Sequence, residues 1–261
     1  MIPAGFVGVE DQLWVWLVAM LRPGAAFLAA PIFGANFVPI QIRAIVALAV
    51  GIPGLAVAQF QLPPDGLATM AGFMLVTGEI IAGLAIGFAV QIGFSCALVA
   101  GEVIGNAMGL GFAAMMDPAS GQQNPVLGQF LMIVATLLFL AMDGHLMLAR
   151  TVVESYHALP PGNAWLSAEA LRGLVFFGAV LFSAGLSIAL PVAFAIILVQ
   201  IVMGLLARSA PQLNLFAVGF PAALLAGIVL LAIAAPVLGE GINTAIGAGL
   251  DEARRLALGG G

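Results

Sequence analysis

The chain has 261 residues, 63% of them hydrophobic and only 7% charged, with a mean hydropathy of +1.19. Soluble domains carry about 25% charged residues, so this composition excludes a soluble globular domain and defines an integral membrane protein. A net charge of −5 and a pI near 4.8 leave no basic footprint for nucleic acid.

The apolar runs are helical in length and lack the ~10-residue alternation of a membrane barrel. They predict an all-α, polytopic membrane protein with about six apolar helical segments and broken helices. Glu10 and Asp11 precede the first run with no basic residue before them, which favours a retained first span over a cleaved signal. Span one covers 13–30, and Arg22-Pro23-Gly24 is expected to break it. A turn-rich connection, Pro31 to Pro39, leads to span two at 40–58, with Arg43 one turn in and Pro53 bending its middle.

Residues 61–66 form a polar break. The next apolar run, 67–101, exceeds the ~20 residues that cover a ~30 Å hydrocarbon core, so it must tilt, kink or extend beyond the bilayer. Span four is expected at 126–148, with Asp143-Gly144-His145 near its end. The amphipathic piece 150–171 has a helix start at Ser167. Span five follows at 171–206 and contains Pro191. Residues 208–214 make another break before span six at 216–238 and a short acidic-basic tail. With six spans, Arg150, Arg172, Arg254 and Arg255 fall on one side and Arg22, Arg43 and Arg208 on the other, too even a split for the positive-inside rule to orient the chain.

Small residues recur at four-residue spacing, Gly83 with Gly87, then Gly101, Gly105 and Gly109 with Ala113. On a helix this makes a flat face for close backbone approach, within the chain or against another subunit. Glu79, Glu102 and Asp143, with His145 beside the last, are acids at membrane depth. Each costs ~2.5–3.5 kcal/mol on insertion scales and so needs a partner or water. They read as a proton relay, as partners of Arg43, as caps of broken helices or as interface residues. Cys96 reads as a packing residue. His145 and His157 stand without a second pair of metal ligands, and no phosphate loop or activated nucleophile is present, so neither enzyme chemistry nor a cofactor is expected.

The stretch 101–130 breaks the pattern of the rest, setting Glu102 and Asp117 among glycines, prolines, methionines and amides. Met108, Met115 and Met116 stand with Phe112 on a glycine-rich backbone, and Pro118 and Pro125 bracket a polar piece that cannot be one continuous helix. Irregular backbone at membrane depth is tolerated where it is buried or lines a cavity. A soft, adaptable apolar seal is one reading; an ordinary turn at the membrane surface is the other.

At this stretch the chain resembles a known family. Ala113-Ala-Met-Met-Asp117-Pro118, Pro125-Val-Leu127, Leu138-Phe139-Leu140, Asp143-Gly144-His145-Leu146, Leu159-Pro160 and Gly162 are similar to the R-type subunit of the flagellar type III export gate. Arg22, Pro31-Ile-Phe-Gly34, Val38-Pro39 and Arg43 are similar to that family's opening region. The family often has Asn where this chain has Asp143, and its injectisome relatives, the T-type subunits, share the Asp-Pro pattern.

The resemblance implies a gate subunit of the bacterial inner membrane and flagellar basal body, assembled with P-type and Q-type subunits beside B-type and A-type export subunits. Unfolded flagellar proteins would be the substrate, and membrane lipid a further contact. It also implies a P-like part at 1–150, with a plug loop at 105–125, and a connecting segment with a Q-like helical hairpin at 151–261. Phe112, Met115, Met116, Asp117, Pro118 and Pro125 would form the plug.

Overall fold

The computed structural model describes residues 9–35, 37–57, 63, 66–111, 125–209 and 219–259, and the regular elements among them are helical. In chain order they are α1 (Val9–Ala29), α2 (Ile40–Val57), α3 (Met70–Ala107), α4 (Val126–Ala141), α5 (Gly144–Ala158), α6 (Ala168–Phe177), α7 (Ala179–Ser209) and α8 (Phe220–Ala257). Among the described residues, five segments are long and apolar enough to cross a membrane, and α4 with α5 makes a sixth when that broken pair counts as one span. The all-α polytopic class read from composition is therefore the one the chain adopts.

The breaks do not all fall where the sequence places them. The first corrected point is Arg22-Pro23-Gly24, which lies inside an uninterrupted α1. Proline lacks the N–H that would bond the carbonyl four residues back, and here that carbonyl belongs to Ala19. It accepts instead from the Tyr156 hydroxyl at 3.2 Å, so a tertiary contact satisfies the acceptor that proline frees. The long third run extends to 38 residues as a single helix with no internal proline.

Span four, expected to continue to 148, breaks after Ala141. Asp143 sits in the left-handed region (φ 56°, ψ 26°), and its carbonyl accepts from the backbone amides of Leu146 and Met147, which starts α5. The left-handed conformation costs an L-residue roughly 1–2 kcal/mol, and Asp and Asn carry it most readily. Asp143→Asn is therefore expected to leave thermal unfolding in detergent unchanged, whereas Asp143→Val should lower stability by about 1–2 kcal/mol. Equal melting of wild type and the Val variant would overturn the backbone argument.

The Ser167 helix start is present, with Ser167 Oγ accepting from Ala170 N at 3.0 Å. Gly178 then separates α6 from α7, and the acidic-basic tail is the helical end of α8 rather than a tail.

Between α1 and α2 the chain turns through Ile32 at φ 69°, an outlier for a β-branched residue. Such backbone persists only where its surroundings over-determine it. Phe33 packs edge-on against Phe27 with ring centroids 4.8 Å apart, and Arg43 Nη2 donates to Ala35 O at 2.6 Å, fixing both arms of the turn.

The chain divides into two compact units. One comprises Met1–Gly93, Phe139–Gly178 and Ile246–Gly261, and the other Phe94–Leu138 and Ala179–Ala245. Within the first, Ala26, Ala82, Ile86, Leu148, Val152 and Ala253 are fully buried. Within the second, Cys96, Ala100, Ile104, Ala135, Ala189 and Ile196 play that part. So much buried alanine lets helix axes approach closely, and dispersion between well-packed atoms then does the work that water exclusion does in soluble cores.

Candidate functional site

In the first unit a charged pair is sealed among apolar helices. Arg22, from the middle of α1, and Glu79, from the third turn of α3, are both 0% exposed. Arg22 Nε donates to Glu79 Oε2 at 2.9 Å and Nη2 to Oε1 at 2.8 Å, a bidentate fork on one carboxylate. Nη1 donates to Ser155 Oγ at 2.9 Å, and Nη2 also reaches Leu159 O at 2.7 Å. Ser155 passes its own hydrogen on to Val152 O at 2.6 Å. The guanidinium also lies 4.1 Å from the centroid of the Tyr156 ring, a cation–π contact that gains strength away from water.

This arrangement clasps α1, α3 and α5 together. A buried charge is tolerable only when paired and hydrogen-bonded, and the fork, the serine and the carbonyl meet that demand together. Chemically the pair is a positioning device, because each charge neutralises the other.

Glycine gives α1 its seat against α3. A Cβ added at Gly83 would collide with Arg22 O and lie 2.9 Å from Ala25 Cβ. One at Gly87 would collide with Ala26 O and lie 2.9 Å from the same residue's carbonyl carbon. Gly54 of α2 lies against the Tyr156 ring, where a Cβ would come within 2.6 Å of it. In the second unit Gly101 faces Gly128, and a Cβ there would stand 2.5 Å from Gly128 Cα. The close approach left open by the four-residue spacing is thus made within the chain at Gly83, Gly87 and Gly101. Gly105 has only ordinary contacts at 3.7 Å, and Gly109 turns the chain beyond α3 at φ 82°.

The other sequence-named residues do not gather around the pair. Glu102 and Asp143 are exposed. His145 is half-buried, and its Nδ1 has no hydrogen-bond partner among the described residues; neither has Arg43 Nε. Arg43, offered by the sequence as a partner for the acids, serves the α1–α2 turn instead, and Glu79 takes Arg22. Phe112, Met115, Met116, Asp117 and Pro118 lie outside the described residues. Pro125 stands immediately before α4, its carbonyl accepting from Gln129 N at 2.8 Å. Sequence reasoning missed the clasp, although one signal for it was present. Arg22 and Glu79 each stand alone within a long apolar run, so each needed a partner. A separation of 57 positions in sequence hides which one.

The fold and the clasp define the class: a membrane-embedded protein, helical throughout its described regular elements, whose fully buried ion pair serves its own packing. The chain belongs to the bacterial export proteins, family 1, whose family model matches residues 13–248. It is 36% identical over 229 residues to the flagellar biosynthetic protein FliR of Escherichia coli K12, covering 87% of this chain and 85% of that one. The FliR of Pectobacterium carotovorum is 33% identical over 227 residues, covering 85% of this chain and 86% of the relative. Similarity extends to the surface presentation of antigens protein SpaR of Shigella flexneri, 26% identical over 214 residues with 80% and 81% covered.

Proposed function

We propose that this chain is a non-enzymatic subunit of the flagellar type III export gate, helping to form and seal the channel that passes unfolded flagellar proteins across the bacterial inner membrane. The observation that carries this reading is the 36% identity to a flagellar FliR across 87% of the chain. Its lower identity to SpaR favours the flagellar apparatus over an injectisome. The locked Glu79 supports a gate over a proton-coupled solute transporter, since a carboxylate held in a bidentate fork is poorly placed to exchange protons.

In this reading P-type and Q-type subunits surround the chain, and B-type and A-type subunits work beside it. The part spanning 1–150 stands in for a P subunit, and 151–261 supplies a Q-like hairpin. The plug comprises Phe112, Met115, Met116, Asp117, Pro118 and Pro125, and it closes the resting pore by excluding water from a hydrophobic constriction. Gly101, seated against Gly128, keeps the adjoining α3–α4 seam closely packed.

Purification in mild detergent followed by planar-bilayer recording tests the proposal. Two other small apolar proteins should co-purify with the chain. Deleting residues 109–122 should keep the complex intact and raise its closed-state conductance. Recovery of the chain alone would overturn the gate assignment; an intact deletion complex with wild-type conductance would overturn the plug.

A further inference from the structure

Between Ser187 and Arg208, Gln200 is the one polar side chain of α7. An amide in so apolar a run is costly unless it finds a hydrogen-bond partner. Gln200 finds one within the second unit, where its Nε2 donates to Ala107 O at 2.6 Å, 93 positions away in sequence. Ala107 is the last residue of α3, and the last four carbonyls of a helix have no donor inside it. Gln200 therefore caps α3 from a different helix.

A second contact holds the same turn. Met108 is 3% exposed and lies in a notch of α8 at Gly227. A Cβ added there would stand 2.6 Å from the methionine Cε, 2.7 Å from its Cγ and 2.8 Å from its Sδ. The Met108 amide still bonds to Ile104 O at 2.9 Å, and that of Gly109 bonds to Asn106 O at 3.0 Å. Gly109, at φ 82°, then turns the chain off the helix. The last turn of α3 is thus fixed by α7 and α8 as well as by its own hydrogen bonds.

We propose that Gln200 and Gly227 are positioning residues of the gate, which hold the last turn of α3 and so set where the chain enters the plug. Their role rests on the plug reading above. A hydrophobic constriction excludes water only while its side chains stay close together. A plug whose root can swing would leak, and Ala107 and Met108 are that root.

The test is made on the purified complex. Gln200→Met keeps the length of the side chain and removes its donor, whereas Gly227→Ala drives Met108 from its notch. Amide exchange over residues 104–109 should quicken about fivefold in Gln200→Met, the factor that one hydrogen bond of average net worth supplies to a local opening. In planar bilayers both variants should raise the closed-state conductance, by less than deletion of residues 109–122 does. Gln200→Met added to that deletion should raise it no further. Unchanged exchange in Gln200→Met would overturn the cap and the role built on it. A leaking deletion beside point variants that conduct like wild type would overturn the positioning role and leave the plug standing. A deletion with wild-type conductance would overturn both together. Extra conductance in the combined variant would also overturn the proposal, because Gln200 would then act on the pore by another route.

Discussion

Arg22→Met is expected to destabilise the protein by about 3–5 kcal/mol, because it leaves the Glu79 carboxylate buried without its partner. Glu79→Met should cost a similar amount for the converse reason. Replacing both with Met should cost much less than the sum, since a well-packed apolar pair of similar volume is often neutral or stabilising where an ion pair was buried. Ser155 Oγ and Leu159 O would each lose a donor in the double variant, at a net cost nearer ~1 kcal/mol apiece. Chemical unfolding of the purified chain in detergent measures all three variants. Additive losses would mean that Arg22 and Glu79 contribute independently, and that the clasp is not an energetic unit.

The second large effect is expected at Gly87. An added Cβ collides with the backbone of Ala26, and backbone cannot rotate aside as a flexible side-chain end can. Gly87→Leu must therefore push α1 from α3, and overpacking of this kind costs at least ~1–3 kcal/mol. Separating the two helices also stretches the Arg22–Glu79 fork, one turn away along α1 and two along α3, so the loss should exceed that of the wedge alone. Gly105→Ala is the control, since the Cβ there meets its nearest neighbours at 3.7 Å, and it should unfold like wild type. A Gly87→Leu chain that unfolds like wild type would show that the α1–α3 seam yields at little cost.

Much of the architecture was legible before any coordinates. Composition alone defined a membrane protein, and run length alone defined helices, because a bilayer forces every backbone polar group to bond within its own segment. The Ser167 cap was readable for a related reason: it is local chemistry, one hydroxyl answering an amide three residues on. Export-gate membership was readable at Ala113-Ala-Met-Met-Asp117-Pro118 and Asp143-Gly144-His145-Leu146, short motifs whose order was informative although the physics of each was not.

Tertiary structure decided the rest. Whether Pro23 would break α1 depended on a tyrosine 133 positions away in sequence, whose hydroxyl takes up the acceptor that proline frees. Whether Glu79 would pair with Arg43 or Arg22 depended on which of the two arginines faced α3. The α1–α2 turn took the one, and the glycine seat at Gly83 and Gly87 brought the other within reach. Hydropathy records what each residue leaves behind in water. It does not record which distant group will satisfy a buried charge or carbonyl, and in this chain those distant partners determine where helices continue and how they are held.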